Sequence, residues 1–132
     1  MEADRESTRN FVYCYTRRDA LEDGYHIDVS NVAAEAGIRF PVFLTRTVYE
    51  RFVTVPPGVS CQDEEGRLWD IVWMLRHAIQ QGRAGASRLP VQLYVRNSND
   101  KGPEQVQLVA ECGALDLDDP RPAITVMLPE DD

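Results

Sequence analysis

At 132 residues and 43% hydrophobic content, the chain has the size of one ordinary domain and can bury a core without disulfides or a structural metal. No apolar run approaches the roughly eighteen residues of a membrane span, and residues 1–6 are charged where a signal peptide would be apolar, so the expected location is the cytoplasm of a bacterial host. Twenty-two acidic residues against fourteen basic give a formal charge of −8, which disfavours direct nucleic-acid binding and either suits a basic partner or keeps a small domain soluble.

Residues 1–10 are polar and read as flexible, and residues 11–15 are aromatic and β-rich, a short strand. Thr16-Arg17-Arg18-Asp19 resembles a capping box with Asp in place of Glu, opening a short helix through Glu22 that Gly24 stops. Residues 25–29 alternate polar and apolar, as an edge strand or extended segment does. Ser30 is placed to cap a turn or two of helix over residues 31–36, ended by Gly37. Pro41 demotes the apolar run 40–44 to an extended approach or a sheet edge. Thr45 can cap a helix over residues 46–53, Pro56-Pro57-Gly58 breaks the chain, and residues 60–66 read as a polar loop.

Leu68, Ile71, Val72, Leu75, Ala78 and Ile79 recur at helical spacing, so the main helix is expected over residues 67–81. Trp69, Trp73 and Met74 widen its apolar stripe and predict that it is covered on more than one side. Residues 89–97, 105–112 and 123–128 read as strands, separated by loops at 98–103 and 113–122. The fold class is therefore α+β: an antiparallel sheet of three or more strands, one main helix packed on it, and short N-terminal helices. Residues 1–132 form one domain, flexible at 1–10 and 129–132.

Catalytic and metal-binding patterns are missing. His26 and His77 have no partner at zinc-ligand spacing, and neither a Gly-x-Ser-x-Gly elbow, a Cys-x-x-Cys pair nor a phosphate-cradling glycine loop occurs. Cys14, Cys61 and Cys112 are odd in number and widely spaced, which points to reduced, buried thiols. No catalytic residue, metal ligand or cofactor is assigned, and the balance favours binding over catalysis. One polar constellation stands out: Asp63, Asp70, Trp69, Trp73 and His77, which could line a cleft for a small ligand or a reaction. Against an acid–base pair, Asp70 and His77 lie two helical turns, about 10 Å, apart. Arg46, Tyr49 and Arg51, and Tyr94 with Arg96, interleave aromatic and basic side chains, which on an acidic chain suits intramolecular contacts. The acids cluster twice, at Asp19, Glu22, Asp23 and Asp28 and at Asp116, Asp118 and Asp119. If these segments meet in space they form a surface for a basic partner.

Several segments carry a resemblance. They are residues 15–24 (Tyr-Thr-Arg-Arg-Asp-Ala-Leu-Glu-Asp-Gly), Ile27-Asp28-Val29-Ser30, 33–42, Leu44-Thr45-Arg46, 62–75 (Gln-Asp-Glu-Glu-Gly-Arg-Leu-Trp-Asp-Ile-Val-Trp-Met-Leu) and 124–131 (Ile-Thr-Val-Met-Leu-Pro-Glu-Asp). In order and spacing the chain resembles a family of small, uncharacterised proteins carried by bacteriophages, plasmids and other bacterial mobile elements. The resemblance implies no reaction, cofactor or established site. It implies an accessory protein, of a kind that often acts on host defences or host machinery. The resulting expectation is a non-enzymatic acidic protein that occupies a basic site on a host protein, such as the nucleic-acid channel of a CRISPR effector. The alternatives are the cleft protein above and a structural or assembly protein of the element.

Overall fold

The computed structural model describes residues 15–82 and 85–131. The expected strand at 11–15, Tyr15 excepted, falls outside these residues, as do Cys14 and the polar stretch 1–10.

Helix α1 (Arg17–Glu22) opens on the expected capping box: Thr16 Oγ1 accepts the Asp19 N–H at 3.0 Å, and the Asp19 carboxylate accepts the Thr16 N–H at 3.2 Å. Gly24, at φ 80°, turns the chain into the short edge strand β1 (His26–Asp28). Helix α2 (Ser30–Glu35) starts one residue before expectation, with Val29 in the cap position and no side-chain cap. Ser30 has a different task. Its hydroxyl accepts the Val42 N–H at 3.0 Å, while the Asp28 carboxylate takes the Ser30 N–H at 2.9 Å.

Strand β2 (Val42–Thr45) corrects the edge assignment for residues 40–44, because it lies inside the sheet with Val42, Phe43 and Leu44 buried. Pro41 stands just ahead of the strand, where it needs no N–H, and its carbonyl accepts the Ile124 N–H at 2.9 Å. Thr45 caps the next helix as expected, but α3 (Arg46–Val48) passes at once into a π-helical turn over Tyr49–Val53. Helix α4 (Glu64–Gln81) takes in part of the predicted polar loop. Asp63 is its N-cap, accepting the Gly66 N–H at 3.1 Å, and Glu64 and Glu65 fill the first turn.

Strands β3 (Arg88–Val95), β4 (Glu104–Asp116) and β5 (Asp119–Met127) form the expected antiparallel meander. Most of the loop expected at 113–122 is strand. Asp116 pairs with Asp119 across a tight turn at Leu117 and Asp118, and Ala114 pairs with Pro122. Prolines 120 and 122 are tolerated because β2 pairs with β5 only from Ile124 onward, so on that side their missing N–H groups deprive no neighbouring strand. The complete sheet has the order β1-β2-β5-β4-β3 and is antiparallel except between β2 and β5. It is thus a five-stranded mixed sheet with an N-terminal half added to the meander.

Ile71, Val72 and Leu75 of α4 pack on the inner face, against Leu89, Val91, Leu93 and Val95 of β3, Leu108 and Ala110 of β4, and Ile124 and Val126 of β5. Helix α1 lies over part of the other face. There the Arg17 guanidinium sits 4.1 Å from the Phe43 ring centroid and donates to Thr125 Oγ1 at 2.8 Å. The cysteine expectation needs correcting: Cys61 is exposed, at φ 63° in the surface loop before α4, and Cys112 is half-buried. Among the described residues no helix is long and apolar enough to cross a membrane.

Candidate functional site: a groove between α4 and the free edge of β3

On α4, Trp69 and Trp73 are one turn apart, and Asp70, Met74, His77, Ala78 and Gln81 form the stripe beside them. The two tryptophan rings stack with centroids 6.0 Å apart and an interplanar angle of 18°. They are 37% and 46% exposed, so this flank of the helix is not covered as its apolar content predicted. The reason lies in the sheet order. β3 is the last strand, and a further strand would be needed to cover the tryptophans.

Leu89 and Leu93 of β3 floor the space beneath them, while Pro90, Gln92 and Tyr94 and neighbouring Gln105 line it from the other side of the strand. The groove encloses about 670 Å³. A second hollow of about 210 Å³ shares Asp70, Leu93 and Tyr94 with it and extends the groove toward Gln62, Arg96 and Pro103. Helix and strand run antiparallel along its length. At one end Arg67 Nη1 donates to the Arg96 carbonyl at 2.8 Å, and at the other a Cβ on Gly82 would come within 2.6 Å of Leu89 Cδ2.

The backbone of β3 alternates in its bonding. The Ser87 carbonyl accepts the Cys112 N–H at 2.8 Å, so Ser87, Leu89, Val91, Leu93 and Val95 form the hydrogen-bonded pairs with β4. The N–H and carbonyl groups of Gln92 and Tyr94, and the Pro90 carbonyl, therefore turn toward the groove side of the edge. Pro90 fits there because an outward position requires no N–H for the ladder.

Asp70 lines both hollows, and Arg67, three residues before it, lies in the wall of the smaller one. Partial burial raises the Asp70 carboxyl above the ordinary aspartate value, opposed by the Arg67 guanidinium. Arg67 is itself only 5% exposed, and burial pulls its pKa down. Its guanidinium donates to the Phe52 carbonyl at 3.0 Å, the Arg96 carbonyl at 2.8 Å and Asn97 Oδ1 at 2.7 Å, with longer bonds to Gln62 Oε1 and the Arg51 carbonyl. This cation is fully engaged in holding the π-turn, α4 and the end of β3 together.

Of the constellation picked out in the sequence, Trp69, Asp70, Trp73 and His77 come together along one wall, whereas Asp63 remains at the helix start as its cap. Asp70 and His77 share that wall two turns apart. The β3 residues Leu89, Pro90, Gln92, Leu93 and Tyr94 carry no such signal as a group in the sequence. The available signals were Pro90 inside a strand and Tyr94, which is 65% exposed on an otherwise polar strand face.

The acidic residues have mostly local roles. Asp19 belongs to the capping box, Asp23 accepts the Tyr15 hydroxyl at 2.6 Å, and Asp28 holds Ser30. Asp116 accepts the backbone N–H groups of Arg17 and Arg18 at 2.9 and 3.0 Å, and Asp119 pairs with Arg121 at 2.6 Å. Through Asp116, the β4–β5 hairpin meets α1, so part of each acidic cluster shares one end of the sheet. Glu22 and Asp118 are exposed there, and their side chains make no hydrogen bond or ion pair among the described residues. Also among the described residues, no group of three His, Cys, Asp or Glu side chains is arranged to hold a metal ion.

Fold and site together define a small α+β domain with an open groove between its main helix and a free sheet edge. The chain belongs to a family of unknown function, DUF6573, which matches residues 5–132. No curated protein and no solved structure matches it.

Proposed function

We propose that this is a binding protein and that its partner seats in the α4–β3 groove. The observation that carries this reading is the Trp69–Trp73 stack, two large aromatic side chains exposed side by side above an open strand edge. Contiguous exposed apolar surface of this kind marks interaction sites, and tryptophan is prominent among the residues that dominate binding energy. The test is affinity capture from a bacterial lysate by the wild-type chain and by Trp73→Ala in parallel. A partner bound by the first and lost from the second supports the reading. A partner retained equally by both counts against it.

A second reading rests on the meeting of α1 with the β4–β5 hairpin. The acidic end so formed, on a chain of net charge −8, would occupy a basic site on a host protein, such as the nucleic-acid channel of a defence complex. The resemblance to mobile-element proteins is in keeping with such a role. Charge reversal at Glu22 and Asp118 is the appropriate probe, because neither holds the fold together. Binding that ignores both reversals and added salt would sink this reading.

A further inference from the structure

We infer that the groove takes an extended segment of a partner protein, added to β3 as a sixth strand, with a Lys or Arg side chain directed at Asp70. This rests on the groove being the binding site. It deepens that reading by naming the partner's conformation and chemistry.

The dimensions favour a strand. From Arg67 to Gly82, α4 advances about 22 Å, and from Leu89 to Arg96, β3 advances about 23 Å. Since these positions meet at the two ends, the walls stay alongside each other for a length that accommodates about seven extended residues. The repeats also agree. Residues four apart on a helix rise about 6 Å, and alternate residues of a strand about 6.7 Å. Successive inward side chains of an added strand would therefore meet Asp70, Met74 and Ala78 in turn, over Leu93 and Leu89. Its outward side chains would lie beside Tyr94, Gln92 and Pro90.

The edge is available. The groove is lined from both faces of β3, by Leu89 and Leu93 on one side and by Pro90, Gln92, Tyr94 and Gln105 on the other, which requires the edge between them to be open. Gln92 and Tyr94 each present a donor and an acceptor, and Pro90 an acceptor. Main-chain pairing of this type supplies affinity, while pockets for alternate side chains supply specificity.

Charge complementarity selects the side chain. Among the described residues Asp70 is the only carboxylate lining the groove, at the point where its two hollows join. Arg67 beside it is committed to carbonyl and amide oxygens, and Arg96 donates to the Ser60 carbonyl and Asn99. An incoming cation thus meets an exposed carboxylate that makes no direct side-chain hydrogen bond among the described residues, on a chain of net charge −8. A second copy of this chain fits less well, since it would bring the same charge and another Pro90.

The test is to pan a random dodecapeptide display library against the full chain and against Trp73→Ala. Peptides retained only by the wild type are then synthesised. Their binding is followed by tryptophan fluorescence and by amide hydrogen exchange on 15N-labelled protein. The expected peptides alternate in polarity and carry one inward Lys or Arg. Exchange at Gln92 and Tyr94 should slow at least about tenfold at saturation. Asp70→Asn should weaken binding about tenfold, as expected for losing a charge-assisted hydrogen bond. N-methylation of the peptide should abolish binding at alternate positions and be harmless between them. Peptides that change the fluorescence but leave Gln92 and Tyr94 exchange unaltered overturn strand addition and leave the groove reading standing. Failure to recover any peptide dependent on Trp73 overturns both.

Discussion

Arg67 reaches from α4 to the end of β3, donating through Nη1 to the Arg96 carbonyl at 2.8 Å, and the same guanidinium takes the Phe52 carbonyl at 3.0 Å. One buried cation therefore sets the distance between helix and strand next to Asp70, and with it the width of the groove. No carboxylate is paired with Arg67 by a direct hydrogen bond among the described residues. Carbonyl and amide dipoles balance its charge.

Replacing Arg67 by Met should cost roughly 2–5 kcal/mol, because several buried acceptors lose their donor together. Arg67→Lys should recover little, since one ammonium cannot reproduce the planar fork that reaches Phe52, Arg96 and Asn97. Urea unfolding of the two variants against the wild type measures both effects. Full stability in Arg67→Lys would show that the fork geometry is dispensable.

Trp73→Ala should leave the fold nearly intact, with a loss of about 1 kcal/mol for the stacked aromatic pair, while removing partner binding. A large stability loss would mean that the ring serves the core. Thermal melts, run beside the binding assay, separate the two outcomes.

The acidic end should divide into structural and exposed members. Asp116→Ala deprives two N–H groups at the start of α1 of their acceptor and should cost about 1 kcal/mol. Asp118→Lys, at the exposed hairpin tip, should change stability by less than about 0.5 kcal/mol. Denaturant midpoints for the pair check this contrast.

Hydrogen bonds from the Arg121 side chain and backbone pull the Asp119 carboxyl down to about 2. A carboxyl whose pKa is depressed in the folded state stabilises the fold above its unfolded value of 3.8, and that contribution is lost as the pH falls toward 2. Asp119→Asn should therefore flatten the stability–pH curve in this interval. Carboxyl NMR titration of Asp119 itself, with melts of the variant between pH 4 and pH 2, tests the direction.

What was legible in the sequence follows the range of the interactions involved. The α1 capping box, the apolar stripe of α4 and the alternation in β3 depend on neighbours within one element, and all are present, whereas β5, inside the sheet, is buried without a break from Ala123 to Met127. The wall of the groove was legible for the same reason, since Trp69, Asp70, Trp73 and His77 are helical neighbours. Its floor was not, because only the strand order places β3 at the edge beside α4. Local composition also misled. Gly113, Pro120 and Pro122 suggested a long loop, although register allows them within paired strands. The acids 63–65 looked like loop residues but supply the N-cap and first turn of a helix. Arg67 reads as a surface residue until the carbonyls of two distant segments are brought to it.

The parallel pairing of β2 with β5 joins Val42 to Ile124, 82 residues further along the chain. During synthesis β2 emerges long before its partner, and its buried residues Val42, Phe43 and Leu44 must wait for most of the remaining protein. The β3–β5 meander, built from hairpin-connected neighbours, closes much smaller loops and can form first. The topology therefore predicts that docking of the N-terminal half follows the meander, with Pro41, whose carbonyl meets Ile124, at the seam between them.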